Sequence, residues 1–325
     1  MRQPTLTDGF EKFRKKTRKE QFLEEMESLI PWQDLAAAIE PFYPKPQGAG
    51  RRPIGIDRML RIYCLQHWFN LSDPAAEEAL YDSRAMRTFV GIDLGREPVP
   101  DETTICKFRH LMERHNLGEE FFRIIGDYLQ ENGLQISRGT IVDATIINAP
   151  SSTKNRNKQR DPDMHQTRKG NQWYFGMKAH IGVDSQSKMI HSVVATAANV
   201  HDSTVLGDLL HGDERRVYGD SAYSGKKAVI HEHAPDAKDF TQRKGSRYKK
   251  LSDEERNRNR NKSKIRARVE HSFLVMKQTF GFKKVRYKGL AKNANHLFVS
   301  CALINVVMAK RHLLKHRQVM QGTCA

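Results

Sequence analysis

Three acidic residues stand where a carboxylate is costly or out of keeping with its neighbours. Asp143 lies in "LQISRGTIVDATIINAP", where β-branched and apolar residues pattern as a buried strand. A charge at that position requires a cation or hydrogen-bond donors to offset its desolvation. Asp220 closes the short strand in "RRVYGDSAYSG", beside small residues and glycine that let a second backbone or a ligand approach. Glu270 sits in "RARVEHSFLVMK", residues 266–277, which reads as one amphipathic helix with an acid among bases. Ile265, Val269, Phe273, Met276 and Phe280 form its core stripe, and Glu270 shares the margin of that stripe with Arg266 and Lys277. Singly, Asp143 could be a hydrogen-bonded strand residue and Glu270 a surface partner of Arg266, worth a few tenths of a kcal/mol. Together, three converging carboxylates repel one another unless a divalent cation joins them, and Mg²⁺ accepts such oxygens while keeping waters for chemistry. Two such ions about 3.5 to 4 Å apart activate a water or 3′-hydroxyl and stabilise the leaving oxygen of an in-line phosphoryl displacement.

The elements that must position these acids follow from periodicity. "WYFGMKAHIGV" alternates, with Trp173, Phe175, Met177, Ala179, Ile181 and Val183 on one face and Tyr174, Lys178 and His180 on the other. This predicts a half-buried strand with Trp173 in the core. The turn "DSQSK" and the strand "MIHSVVATAA" complete a hairpin beside the Asp143 strand. A helix over "DSTVLGDLLHG", the Asp220 strand, another helix, a strand "AKDFTQ" and the Glu270 helix follow. A mixed five-stranded sheet flanked by helices, with acids on its first and fourth strands and on a late helix, is the layout of a ribonuclease H-like nucleotidyl-transfer fold. The stretch "SSTKNRNKQRDPDMHQTRKGNQ" and the run 243–264 are rich in Lys, Arg and Asn and poor in apolar residues, which predicts loops. Each is either a solvated surface or, in such a fold, part of a DNA track that neutralises phosphates.

The first part of the chain reads as helical. Phe22, Met26, Leu29 and Ile30 recur at helical spacing until Pro31, and "PFYPKPQGAGRRP" follows as a hinge. "IDRMLRIYCLQHWF" places Ile56, Met59, Leu60, Tyr63 and Trp68 near one face, and the next helix starts at Ser72 or Asp73 with Pro74 in its first turn. Asp101 caps "ETTICKFRHLMERH", which sets Ile105, Phe108, Leu111 and Met112 inward and leaves Thr104, Lys107, Arg109 and Arg114 outside. Short helices with a basic face suit a helix-turn-helix type DNA reader, and equally a scaffold with Lys and Arg on its surface. The expected organisation is α+β: a helical arm over 1–45, a helical DNA-binding domain over 46–135 and a catalytic domain over 136–325.

Charge favours a polyanionic partner, because 55 Lys and Arg against 38 Asp and Glu leave a net charge of +17. The N-terminus turns basic where a signal peptide needs an apolar run, and the longest apolar run, "LFVSCALINVVMA", reads as a buried helix too short for a bilayer. The expectation is a cytoplasmic protein that engages no membrane. Cys64, Cys106, Cys301 and Cys324 are scattered without CxxC pairing, against a zinc ribbon or a disulfide framework. His231 and His233 have no third ligand in view, and no GxxxxGK phosphate loop is present.

The chain resembles the bacterial DDE transposases of insertion sequences, in the group called insertion-sequence family five. "RRPIGIDRMLRIYCLQHWFNLSDPAAEEALYDSRAMRTFVGIDL" with "PDETTICKFRHLM" resembles the family's N-terminal helical domain, and "GNQWYFGMKAHIGVD", "TAANVHDS", "YGDSAYSG" and "RARVEHSF" resemble its catalytic domain. The resemblance places Asp143, Asp220 and Glu270 on the catalytic, metal-holding triad. The short interval between Asp220 and Glu270 leaves no room for the large β-rich insertion of some relatives. Arg266, Glu270 and Lys277 match the spacing of a related Tyr-Arg-Glu-Lys signature, whereas Ser263 stands at the Tyr position. His201 and Asp202 in "NVHDS" match a family motif, although His201 could only shape a turn and Asp202 only cap a helix. The implied activity is cleavage at terminal inverted repeats to free 3′-hydroxyls, with joining to target DNA, using Mg²⁺ or in its place Mn²⁺. The implied partners are double-stranded DNA and a second copy in a homodimer or larger synapse. Arg266, Lys277, Lys178, Lys107 and Arg109 are the candidate DNA contacts. A nuclease of the same fold that does not join, and a repressor descended from a transposase, are the alternatives.

Overall fold

A computed structural model describes residues 15–45, 52–134, 136–245 and 250–322, the last four by backbone alone. The expected domain boundaries at 45/46 and 135/136 fall on residues 46–51 and 135, outside those described, as does Cys324.

The sheet is built around β1 (Gly139–Asn148) and the long β3 (Gln172–Asp184), paired antiparallel with Asp143 opposite Ile181. β4 (Ile190–Ala197) lies antiparallel on the far side of β3, β5 (Arg216–Tyr218) runs parallel to β1, and β6 (Lys238–Asp239) parallel to β5. These give the five-stranded order β4-β3-β1-β5-β6. A sixth strand, β2 (His165–Lys169), arises within the predicted loop and pairs with the start of β3, Lys169 opposite Gln172. Its sequence is too charged to announce a strand, and the pairing is supplied by the overhang of β3. One sheet face, with Ile141, Ala179 and Ile181, packs into the main core, while Val142 and Val217 on the other face join Leu206, Leu209, Tyr223 and Ile230.

Two predicted elements differ. The helix expected over "DSTVLGDLLHG" is a pair of 3-10 turns, Asp202–Val205 and Gly207–Leu209. Gly207 opens the second turn and lies against α8 (Lys227–His233), where a Cβ would meet the His233 ring at 2.5 Å. The loop expected over 243–264 contains α9 (Asp253–Arg266). Its signal was terminal and not periodic: Ser252 and Glu255 form a reciprocal capping box, acids fill the first turn, and Lys264 and Arg266 close the last. No residue of α9 is buried, so it lacks the apolar stripe that reveals most helices.

Among the described residues, seven α-helices precede the sheet: α1 (Arg18–Leu29), α2 (Trp32–Ile39), α3 (Ile56–Phe69), α4 (Asp73–Asp82), α5 (Arg84–Val90), α6 (Glu102–Arg114) and α7 (Leu117–Glu131). Ser72 caps α4 through the Ala75 N–H and Asp101 caps α6 through the Thr104 N–H. α3 is more deeply placed than a one-sided helix, with Met59, Leu60 and Ile62 to Trp68 all buried. The last described element is α11 (Leu290–Gly322), which packs on α7, β4, α1, α3 and α6. The helix is longer than its apolar run implied. Leu290–Gln318 is long and apolar enough to cross a membrane by length and composition, yet 61% of its most apolar window is buried inside the protein. Asn305 on α11 grips the Ile190 backbone in both directions, at 2.9 and 2.7 Å, and so locks the helix to β4. One continuous core therefore runs from α1 through α11 to the sheet.

Arg109 is not on the outer face of α6. Its guanidinium lies 2.8 Å from the Asp73 carboxylate and 2.7 Å from that of Glu113, and stacks over the Tyr287 ring at 4.3 Å. With this residue buried, Arg109→Ala strands two carboxylates in the interior and is expected to cost about 3 kcal/mol of stability. Denaturant unfolding measures this, and a loss under 1 kcal/mol would show that the cluster is solvated.

Candidate active site

The parallel pairing of β1 with β5 explains how two acids distant in sequence meet. Ile141 is paired with Tyr218, so Asp143 lies two residues further along β1 and Asp220 two residues past the end of β5. Gly219 allows the close approach, since a Cβ there would lie 2.9 Å from the Tyr223 ring and 3.1 Å from Val142. Asp220 then caps a 3-10 turn, Ser221–Tyr223, through the Ala222 N–H at 2.8 Å. Glu270 arrives from the opposite side. The predicted single helix 266–277 is broken: α9 ends at Arg266, α10 (Val269–Leu274) begins after a turn, and a π-helical turn covers Val275–Thr279. Val269, Phe273, Met276 and Phe280 are buried as expected, and Ile265 is partly so. Glu270 stands in the first turn of α10, its side chain 59% exposed.

Arg266 joins the acids. Its Nη1 donates to Asp143 Oδ2 at 2.6 Å and lies 3.8 Å from Glu270 Oε1, while Asp143 Oδ1 accepts the Ala144 N–H at 2.8 Å. Burial pushes the Asp143 carboxyl up to about 6, against the Ala144 N–H and Arg266, and the charges of Asp220 and Glu270 add to the rise. Asp143 therefore sits in the electrostatic field of both other acids.

The other predicted contacts divide. Lys277, carried on the π turn, donates to the Ile146 carbonyl on β1 at 2.8 Å, and burial followed by the charge of Lys169 lowers its pKa. Lys178 turns inward, 2.6 Å from the Val200 carbonyl and 2.8 Å from the Asp202 carboxylate. Beside it His180 is buried, 2.8 Å from Thr196 Oγ1, and held to about 4 by desolvation. His201 rather than Asp202 caps the turn that follows, through the Ser203 N–H. Lys107 is exposed on α6. Ser263 accepts from Gln242 Nε2 at 2.6 Å and donates to Asn259. His231 and His233 each bond to a backbone carbonyl, and among the described residues they have no metal-ligating third partner.

Trp173 is 64% exposed, contrary to its expected place in the core. β1 ends at Asn148, opposite Gly176, so the earlier residues of β3 have only β2 beside them. Tyr223 is the residue that the sequence reading missed. Among the described residues its buried hydroxyl has no hydrogen-bond partner, and burial raises its pKa, reinforced by the charges of Asp202, Asp143 and Asp220. Its only sequence signal was its place three residues after Asp220.

Among the described residues, no three His, Cys, Asp or Glu side chains are oriented so as to hold one ion together. The donor chemistry nevertheless fits a hard divalent cation: three carboxylates, no sulfur or imidazole, with the Glu270 side chain exposed. The position now bridging Asp143 and Glu270 carries the positive charge of Arg266.

A mixed sheet of order β4-β3-β1-β5-β6, with Asp143 on β1, Asp220 just past β5 and Glu270 on a later helix, is the layout expected of a ribonuclease H-like nucleotidyl-transfer fold. The family model described as a transposase DDE domain matches residues 135–306, and one described as a transposase domain (DUF772) matches residues 11–111. The chain belongs to the DDE transposases, enzymes that cut and join DNA. A cryo-EM structure of a piggyBac transposase synaptic complex with hairpin DNA aligns at a TM-score of 0.44 and 10% identity, over 92% of this chain and 75% of that one.

Proposed function

We propose that the enzyme binds the terminal inverted repeats of its own element, frees their 3′-hydroxyls and joins them to target DNA as a homodimer or larger synapse. The observation that supports this reading is that Asp143 feels the charges of both Asp220 and Glu270, with Arg266 bridging Asp143 and Glu270. Those three carboxylates would hold Mg²⁺, with Mn²⁺ as a substitute, and the ion would supply activation of the attacking hydroxyl and charge stabilisation of the leaving oxygen.

The protein's own residues supply the rest. Arg256, Arg260 and Lys264 recur at four-residue spacing on the exposed surface of α9, which leads into the Glu270 helix, and they guide the phosphate backbone toward the acids. Lys107 contributes from α6, within a helical region over 46–135 that reads the repeats while 136–325 catalyses. Arg109 and Lys178 leave the list of DNA contacts, since each is committed to carboxylates inside the protein. Lys277 holds the π turn against β1 and adds positive potential without a direct clamp.

Incubation of the full chain with pre-cut element ends, plasmid target and Mg²⁺ tests the reading. Joined products are expected. Cleavage of intact ends without joining would establish a nuclease, and repeat binding without either reaction an idle repressor.

A further inference from the structure

The motif "NVHDS" and the strand residue Lys178 stand outside the triad, yet the fold joins both to it. His201 caps the Asp202–Val205 turn, so the Asp202 carboxylate is not spent on a backbone cap. It faces Lys178 Nζ at 2.8 Å, and the same ammonium donates to the Val200 carbonyl at 2.6 Å, so β3 grips this loop at two points. The ion pair is largely buried. Desolvation of both ions offsets most of the attraction in such a pair, so stability alone does not account for it.

The neighbouring turn carries the second acid. Lys178 and His180 lie opposite Ile146 and Ala144, on the sheet face away from Asp143 that holds Val142 and Tyr223. There the Asp202–Val205 turn packs against the Ser221–Tyr223 turn. Tyr223 is fully buried with its ring close to Gly219, and the charges of Asp202, Asp143 and Asp220 all reach it. Asp220 Oδ1 accepts the Ala222 N–H of this turn at 2.8 Å, so the placement of the turn sets the direction of the carboxylate. Asp143 is held by its strand and by Arg266, whereas Asp220, past the end of β5, depends on the turn.

We infer that Lys178 and Asp202 are positioning residues for Asp220: their ion pair fixes the Asp202–Val205 turn, which braces the Ser221–Tyr223 turn and so aims the Asp220 carboxylate at the metal. The inference rests on the transposase reading only in giving Asp220 a metal to hold.

Calorimetric titration of the full-length proteins with Mn²⁺, DNA absent, tests it, with cleavage and end binding followed in parallel. Lys178→Met is expected to lower Mn²⁺ affinity about tenfold, at the lower end of what loss of a supporting partner costs, and to leave end binding within a few-fold of wild type. Because Lys178→Met strands the Asp202 carboxylate and so threatens folding, Lys178→Met/Asp202→Asn serves as a second variant without the stranded charge. Its thermal midpoint should return toward wild type while its Mn²⁺ affinity stays low. Wild-type Mn²⁺ affinity in either variant would overturn the inference, as would end binding lost in step with cleavage, which makes Lys178 a DNA contact. Asp220→Ala titrated alongside separates the two readings. If it too binds Mn²⁺ as wild type does, the triad itself fails; if it alone loses affinity, only the brace fails.

Discussion

Asp143→Ala, Asp220→Ala and Glu270→Ala are each expected to lower cleavage of element ends by roughly 10³-fold or more while leaving end binding within a few-fold of wild type. The size follows from the chemistry. Phosphoryl transfer depends almost wholly on positioning and charge neutralisation, and loss of a single positive charge at such a site costs on the order of 10³ to 10⁵. A divalent ion carries more. End binding survives because its affinity comes from phosphate contacts by bases, and removing an acid from a cleft lowers repulsion of DNA. The three variants differ in one respect. Asp143→Ala also deprives Arg266 of its closest partner, which the other two substitutions leave in place. Cleavage of a labelled end duplex, with binding followed by gel shift in Ca²⁺, reads both quantities. Near-normal cleavage by any one variant would remove that residue from the triad.

What the sequence disclosed depended on whether the signal was apolar. Asp143 was legible because a carboxylate among β-branched residues conflicts with its surroundings, and Asp220 because glycine and small residues flank a strand end. The buried stripe from Val269 to Phe280 was legible by period. The break at Ala267–Arg268 and the π turn at Val275–Thr279 were not, because neither disturbs the order of apolar residues, and both alter where Lys277 points. α9 was hidden for the converse reason: its caps specify a helix, and its faces are polar all round. Arg109 and Lys178 were read as outward because a basic residue on a helix or strand margin ordinarily is. Their acidic partners come from distant positions, Asp73 for the one and Asp202 for the other. Trp173 failed as a core residue because alternation fixes the face of a strand without saying where the covering layer stops.

Arg266 presents the sharpest choice, because it touches two of the three acids. If its function were to orient them, Arg266→Ala would weaken metal binding by about 10- to 100-fold, as loss of a supporting hydrogen bond does. Charge argues the other way. Its guanidinium is 2.6 Å from Asp143 and 3.8 Å from Glu270, so a cation entering between those carboxylates meets a positive charge already in place. At such separations a unit charge pair interacts by about 4 kcal/mol at an effective dielectric constant near 20, and a divalent ion is repelled more strongly. Arg266→Ala is therefore expected to bind Mn²⁺ more tightly than wild type, with DNA absent. Cleavage should nonetheless fall by about 10²-fold, because the planar fork displaced from the acids is then no longer available to a phosphate oxygen pair. Arg266→Lys keeps the charge without the fork and should fall between the two in cleavage, with Mn²⁺ affinity near wild type. Calorimetric titration of the full-length proteins with Mn²⁺ decides the matter: affinity lost in Arg266→Ala to the extent seen in Asp220→Ala would make Arg266 a positioning residue for the triad, whereas gained affinity with lost cleavage makes it the cation that metal displaces onto DNA.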